Sequence, residues 1–150
     1  MEGMPVRWFY RYRYLHFWEA EVPVGCDAHV HKTGIIFMDK PSRLLFSVVT
    51  YTREDWEQQA AEVKSVGEHK TWDEVAKHHL SLPEDASERK PLIDCERWNE
   101  EMQRMFRIRD WRFRGENFLI MIVQHKAGMR NPAHDSVLDR FVNTLSILKV

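Results

Sequence analysis

An α+β fold built on an antiparallel sheet is the architecture that this 150-residue chain predicts. Three observations carry the expectation. Bulky rings and aliphatic side chains recur at every second position along segments 10–18 and 104–123, the spacing of a half-buried strand. Two threonine-led capping patterns open short amphipathic segments, and a longer apolar stripe at helical spacing lies near the C-terminus. Proline and glycine fall between these runs, where turns belong.

The N-terminal run Arg7 to Glu21 reads as one long strand. Tyr10, Tyr12, Tyr14, His16 and Trp18 share one parity, with Arg11, Arg13, Leu15, Phe17 and Glu19 on the other. Pro23 and Gly25 end it. Gly34 to Met38 and Leu44 to Tyr51 read as a hairpin. Asp39-Lys40-Pro41-Ser42 forms its turn, because Pro41 presets φ and the flanking side chains bond the turn backbone.

Thr52 with Asp55, and Thr71 with Glu74, begin two helices. Trp56, Ala60 and Val63 line the first, and Trp72, Val75, Ala76 and Leu80 (with His79) the second, with Gly67 between them. Ser81 to Pro91 is a polar linker, read as the most mobile internal segment. Leu92 to Trp98 and Met102 to Phe113 follow as strands. Phe106 and Ile108 differ in parity from Trp111 and Phe113, which suggests a bulge or a sharp bend at Asp110. Arg114-Gly115-Glu116-Asn117 is a turn. Phe118 to His125 is apolar on both parities, so it belongs at the centre of the sheet. After an Ala127–Pro132 loop, a last helix begins at His134 or Asp135 and buries Val137, Leu138, Phe141, Val142 and Leu145. Ser146 to Val150 closes the chain as a short strand or tail.

Composition narrows the functional classes. One domain over residues 1–150 is expected from length alone. A chain of this size buries roughly 68–70% of its unfolded surface and needs no metal or disulfide to fold. The net charge of −1 supplies no bulk field for a polyanion. Two cysteines, Cys26 and Cys95, make no disulfide framework, and reduced thiols imply a cytosolic protein. The longest apolar run is far short of a membrane span.

The order of elements, with two short phrases, resembles the PsbP-like (Mog/PsbP) α/β/α sandwich family. The phrases are Trp18-Glu19-Ala20-Glu21-Val22-Pro23-Val24-Gly25 and, after Phe118 to His125, Asp139-Arg140-Phe141-Val142-Asn143-Thr144-Leu145-Ser146-Ile147-Leu148. The family includes photosystem accessory proteins, a Ran-binding protein and chaperones for type VI secretion effectors. The resemblance therefore implies a PsbP-like sheet of six to seven strands flanked by helices, and a binding protein without a catalytic centre. It supplies no site residues. Cys26 stands where the family carries an aromatic after the Pro-Gly turn.

Each chemical constellation has a bland counterpart. His29 and His31 share a face if they lie on a strand, yet a metal site needs a third ligand from His78, His79 or Asp94, so a solvated loop is the expectation and no metal or cofactor is assigned. Cys26 and Cys95 lack a nucleophile motif and read as structural thiols. Asp135 and Asp139 share a helix face, read as solvated. The densest signal is arginine interleaved with rings: Arg7, Arg11 and Arg13 among Trp8 to Tyr12, and Arg104, Arg107, Arg109, Arg112 and Arg114 among Phe106, Trp111 and Phe113. Such a pattern suits single-stranded nucleic acid, but also an ordinary strand with one wet face.

The reading adopted is a protein-binding domain, adaptor- or chaperone-like, engaging another protein or a second copy of itself. Arg11, Tyr12, Arg13, Tyr14, Trp18, Arg107, Arg109, Trp111 and Arg112 form its expected contact face, because Trp, Tyr and Arg dominate interface energetics. The alternatives are a small-ligand binder or enzyme with a pocket near the 81–91 linker, and a nucleic-acid binder.

Overall fold

A computed structural model describes residues 7–32, 34–62, 71–127 and 131–148, with side chains left aside at 59–62 and 125–127. Val63, Gly67, residues 128–130 of the 127–132 loop and the last two residues lie outside the described residues, as does the side chain of Ala60.

The first hairpin pairs β1 (Phe9–Tyr14) with β2 (Trp18–Pro23). The expected single strand is thus two, reversing at Leu15–Phe17, where Phe17 N–H donates to the Tyr14 carbonyl at 3.1 Å. Leu15 takes a φ of 49° there, the left-handed region that few L residues adopt. The reversal is invisible to parity because Tyr14 opposes Trp18 and Tyr12 opposes Ala20. Even residues face even residues, so the period-two pattern runs through the turn without a break.

β3 (Cys26–Val30), β4 (Gly34–Asp39) and β5 (Leu44–Thr52) form an antiparallel meander. β3 was expected as loop; its register with β4 is continuous over five residues. Helix α1 (Arg53–Glu62) opens with Thr52 Oγ1 accepting from Asp55 N–H at 3.0 Å. Helix α2 (Trp72–Ala76) opens with Thr71 accepting from Glu74. It ends before Leu80, which instead starts β6 (Leu80–Ser81), parallel to β8.

The remaining strands are β7 (Ile93–Asn99), β8 (Arg104–Arg114), β9 (Phe118–Ala127) and β10 (Ser146–Ile147). In the β8–β9 turn Gly115 lies under the Phe118 ring, and a Cβ there would collide with it. Helix α3 (Pro132–Thr144) starts two residues earlier than expected. Pro132 fits the first turn, whose N–H groups are unpaired, and Asn131 Oδ1 caps Ala133 N–H at 2.9 Å.

Among the described residues the large sheet has seven strands in the order β3-β4-β5-β9-β8, with β6 and β7 sharing the far edge of β8. β9 is central, as its two-sided apolar sequence requires. A smaller sheet, β1-β2-β10, joins α3 in a second layer over one face of the large one. Trp18, Phe37, Phe46, Trp111, Ile120, Ile122, Leu138 and Phe141 fill the space between. Phe141 meets Trp18 and Phe46 edge-on, at centroid distances of 5.6 and 5.3 Å. Helices α1 and α2 lie on the opposite face, where Trp56 meets Tyr51 at 5.6 Å and Trp72 is buried.

The expected bulge at Asp110 is absent: β8 pairs with β9 in one unbroken register from Phe106 to Arg114. The apparent phase change has another cause. Arg107, Arg109, Trp111 and Phe113 all point toward α3, and the first two are buried charges that a hydrophobic pattern counts as surface.

Candidate functional site

The arginine–aromatic face expected from the sequence divides into five different environments. Trp18 and Trp111 are core residues, 0% and 1% exposed. They touch no solvent and cannot form a contact surface. Trp18 Nε1 donates to Thr50 Oγ1 at 3.0 Å, which satisfies its one polar atom inside. Tyr12 and Tyr14 are half-buried beside it: Tyr12 meets Phe37 edge-on at 5.2 Å, and Tyr14 stacks on Trp18 at 5.5 Å. Arg11 and Arg13 are exposed on the outside of the small sheet. Arg11 pairs with Glu19 at 2.8 Å, and Arg13 Nε donates to the Leu15 carbonyl.

Arg107 and Arg109 are buried between β8 and α3. Arg109 donates to Asp139 at 2.8 Å and to Asp135 at 3.3 Å. Its guanidinium also lies 4.5 Å from the Trp111 ring centroid. Arg107 Nη2 stands 2.7 Å from Asp94 Oδ1 on β7. That distance makes an ion pair, although the N–H is not aimed well enough for a hydrogen bond. The two arginines therefore tie β7, β8 and α3 together. Asp135 and Asp139 do share a helix face, where Asp135 is largely buried in the ion cluster and Asp139, also paired there, stays half in solvent. Arg112 has the other parity. It lies on the opposite side of the sheet, paired with Asp110 at 3.2 Å. The two arginine groups do not make one surface for a polyanion.

The histidine pair also resolves. His29 lies on β3 and His31 just after it, both exposed. Asp94 lies on β7 at the opposite edge of the sheet. His79 is 3% exposed and packs behind α2. Its Nδ1 lies 3.0 Å from the Val75 carbonyl, to which it donates, while Nε2 has no partner. Burial pulls its pKa below the ordinary value, and the nearby Arg112 charge acts in the same direction. Among the described residues no group of three potential metal ligands converges.

Cys26 is buried and its thiol is pushed up to about 12, first by burial and then by the Asp39 charge. Asp39 is fully buried. Burial alone would raise its pKa, but hydrogen bonds from Arg7 and Ser42 with the Arg7 charge more than offset this and hold it low. Arg7 grips both oxygens of Asp39 at 2.6 and 2.7 Å, so the start of β1 is bound to the β4–β5 turn.

The sheet face away from α3 was not singled out in the sequence. Register places Ile36 and Met38 of β4 beside Ser47 and Leu45 of β5, and Ser47 beside Val123 of β9. Phe106 and Ile108 continue the face on β8. Ile36 and Met38 are 36% and 43% exposed, and Leu45, Phe106, Ile108 and Val123 are half-buried. A hollow of about 330 Å³ opens beside them, lined by Phe106, Ile108, Val123, Arg97, Trp98 and Asn99. The signal was present as the second apolar parity of β4 and β9, which reads as ordinary core until the covering layer is known.

A second, larger feature is an open cleft of about 1430 Å³ between the 81–84 segment, the start of α1 and the β8–β9 turn. Arg89 forms part of its wall and donates to the carbonyls of Val142, Asn143 and Leu145 at 2.7, 3.2 and 2.9 Å. The 81–91 segment is therefore anchored to the C-terminal end of α3, with a 3₁₀ turn at Ala86–Glu88.

The class defined by these features is an α+β sheet protein with one helix-covered face and one partly open apolar face. No protein family and no curated protein matches the chain. Among solved structures it is similar to a crystal structure from Bacteroides thetaiotaomicron VPI-5482, at 10% identity and a TM-score of 0.51. That likeness covers 88% of this chain and 45% of the other, so the chain spans about half the length of that protein. It is also similar to the solution structure of cyanobacterial PsbP (CyanoP) from Synechocystis sp. PCC 6803, at 14% identity and a TM-score of 0.48, covering 98% of this chain and 96% of that one. These likenesses concern the fold alone. Among the described residues no helix is long and apolar enough to cross a membrane.

Proposed function

We propose that this chain is a protein-binding module, of adaptor or chaperone type, that receives an apolar segment of another protein on the outward face of the large sheet. The observation that supports it most is the run of exposed and half-exposed aliphatic and aromatic side chains across β4, β5, β9 and β8, from Ile36 and Met38 to Ile108. Apolar side chains left open on one face of a sheet are a common mark of an interaction site. Its rim is charged, with Asp27 and Lys40 paired at 3.2 Å on one side and Arg97 on the other. A peptide is the fitting occupant, because its apolar side chains meet the face while its polar backbone or flanking charges meet the rim.

The test uses a fluorescein-labelled amphipathic peptide and its scrambled, polar counterpart. Wild type raises the anisotropy of the first only, and Ile36→Lys with Met38→Lys removes the response without lowering the melting temperature. Equal binding by wild type and the double variant, or no binding by wild type, refutes the reading.

A second reading rests on the 1430 Å³ cleft beside the 81–91 segment, which is large enough for a small ligand. A thermal-shift screen of metabolites supports it if one compound raises the melting temperature and Arg114→Ala abolishes the shift.

A further inference from the structure

We infer that the free edge of β3 joins two copies of this chain, in an antiparallel pairing centred on Ala28. Among the described residues β3 ends the large sheet, and its one neighbour is β4. In the β3–β4 register His31 N–H donates to the Gly34 carbonyl at 2.7 Å. Hydrogen-bonded and non-bonded pairs alternate in an antiparallel ladder, so His29 and Asp27 also bond toward β4. Cys26, Ala28 and Val30 then turn their N–H and C=O groups away from the sheet. That row contains no proline, lysine or bulge, the devices that normally blunt an edge.

A two-fold axis at Ala28 uses this row completely. Ala28 faces Ala28 of the second copy, and Cys26 faces Val30, each as a hydrogen-bonded pair. Asp27 then falls opposite His29 of the second copy, twice by symmetry. These are the non-bonded pairs, where Cα atoms come within roughly 4.5 Å and side chains meet best. Asp27 and His29 both stand on the outward face, opposite Met38 and Ile36 of their own sheet. Each carboxylate thus meets an imidazole that can donate to it. Centring on Asp27 or His29 keeps the backbone in phase but sets like side chains against each other at the axis, carboxylate on carboxylate or imidazole on imidazole. Centring on Cys26 or Val30 shortens the ladder. The small Ala28 side chain lets the strands close, and the isologous contact is self-limiting. The joint sheet leaves the apolar outward faces side by side and open, so the pairing stands independently of what binds there.

Sedimentation equilibrium across a wide concentration range tests the inference. Wild type is expected as a dimer of about 36 kDa, twice 18.0 kDa. Asp27→Lys sediments as a folded monomer, and adding His29→Asp to it restores the dimer through the swapped pair. Ala28→Pro, which removes an outward N–H, is monomeric with an unchanged circular dichroism spectrum. A wild type that stays monomeric throughout overturns the inference. So does a dimer that survives Asp27→Lys but dissociates on Met38→Lys, because that places the contact on the outward face.

Discussion

Arg109 on β8 and Asp139 on α3 meet at 2.8 Å, thirty residues apart in sequence, inside a cluster that also holds Arg107, Asp94 and Asp135. A buried guanidinium is stable here because three carboxylates surround the pair of arginines. Removing Arg109 takes a cation from Asp94, Asp135 and Asp139 at once and leaves Arg107 to serve the first two. Arg109→Ala is expected to cost about 3–5 kcal/mol in urea unfolding. Asp139→Asn should cost below about 1 kcal/mol, since Asp139 is half-exposed and Asp135 still holds Arg109. Equal costs would show that Asp139 alone carries the clamp.

His79 makes stability depend on mild acid. Its folded pKa lies below the ordinary 6.5 because burial penalises the charged ring. The unfolded chain therefore binds a proton first, and stability is lost as pH falls below 6.5. The groups that face it are Arg112 and Asp110 from β8 and His78 beside it. The melting temperature is expected to fall from about pH 7.5 to about pH 5, and His79→Gln should flatten that slope. An unchanged slope in the variant would assign it to another group.

The two thiols should differ in reactivity. Cys26 is buried with its pKa pushed up to about 12, while Cys95 is half-exposed on β7. Ellman's reagent at pH 8 is expected to label Cys95 quickly and Cys26 only on unfolding. The raised pKa of Cys26 also means that the folded state holds its proton longer than the unfolded chain. Its contribution to stability is present below pH 9 and declines as pH rises toward 12. Rapid labelling of both thiols in native buffer would contradict the burial.

Arg89 is expected to hold the end of α3. Its Nη1 serves three carbonyls in the last helical turn and just beyond, where backbone donors run out and Val142 has only the Leu145 N–H at 3.4 Å. Arg89→Ala should cost about 1–3 kcal/mol and speed amide exchange at Leu145–Ile147. Arg89→Lys recovers only part of this, because lysine has no Nε–H to give the Pro83 carbonyl, which Arg89 Nε reaches at 2.9 Å. Exchange that stays slow in the alanine variant would mean that the β10–β2 pairing is sufficient.

Much of this architecture was legible locally. The β4–β5 hairpin, the central β9, the two threonine caps and the α3 stripe from Val137 to Leu145 each rest on neighbours within a few residues. Capping, turn chemistry and side-chain periodicity act over that range, so the residues themselves dictate those elements. The expected α+β sheet followed from them.

The turn at Leu15, the fate of the arginines and the open face required the assembled chain. Leu15 carries no turn residue type, and parity passes through the reversal unchanged. Arg109 looked like surface because a buried ion pair and a solvated arginine have the same sequence signature; the difference is Asp139 arriving on another element. Ile36 and Met38 stood out only as part of an apolar hairpin strand, because hydrophobicity states what a side chain prefers and not what covers it. Burial is a property of the packed layers, and here α3 and the small sheet cover one face while α1 and α2 cover only part of the other.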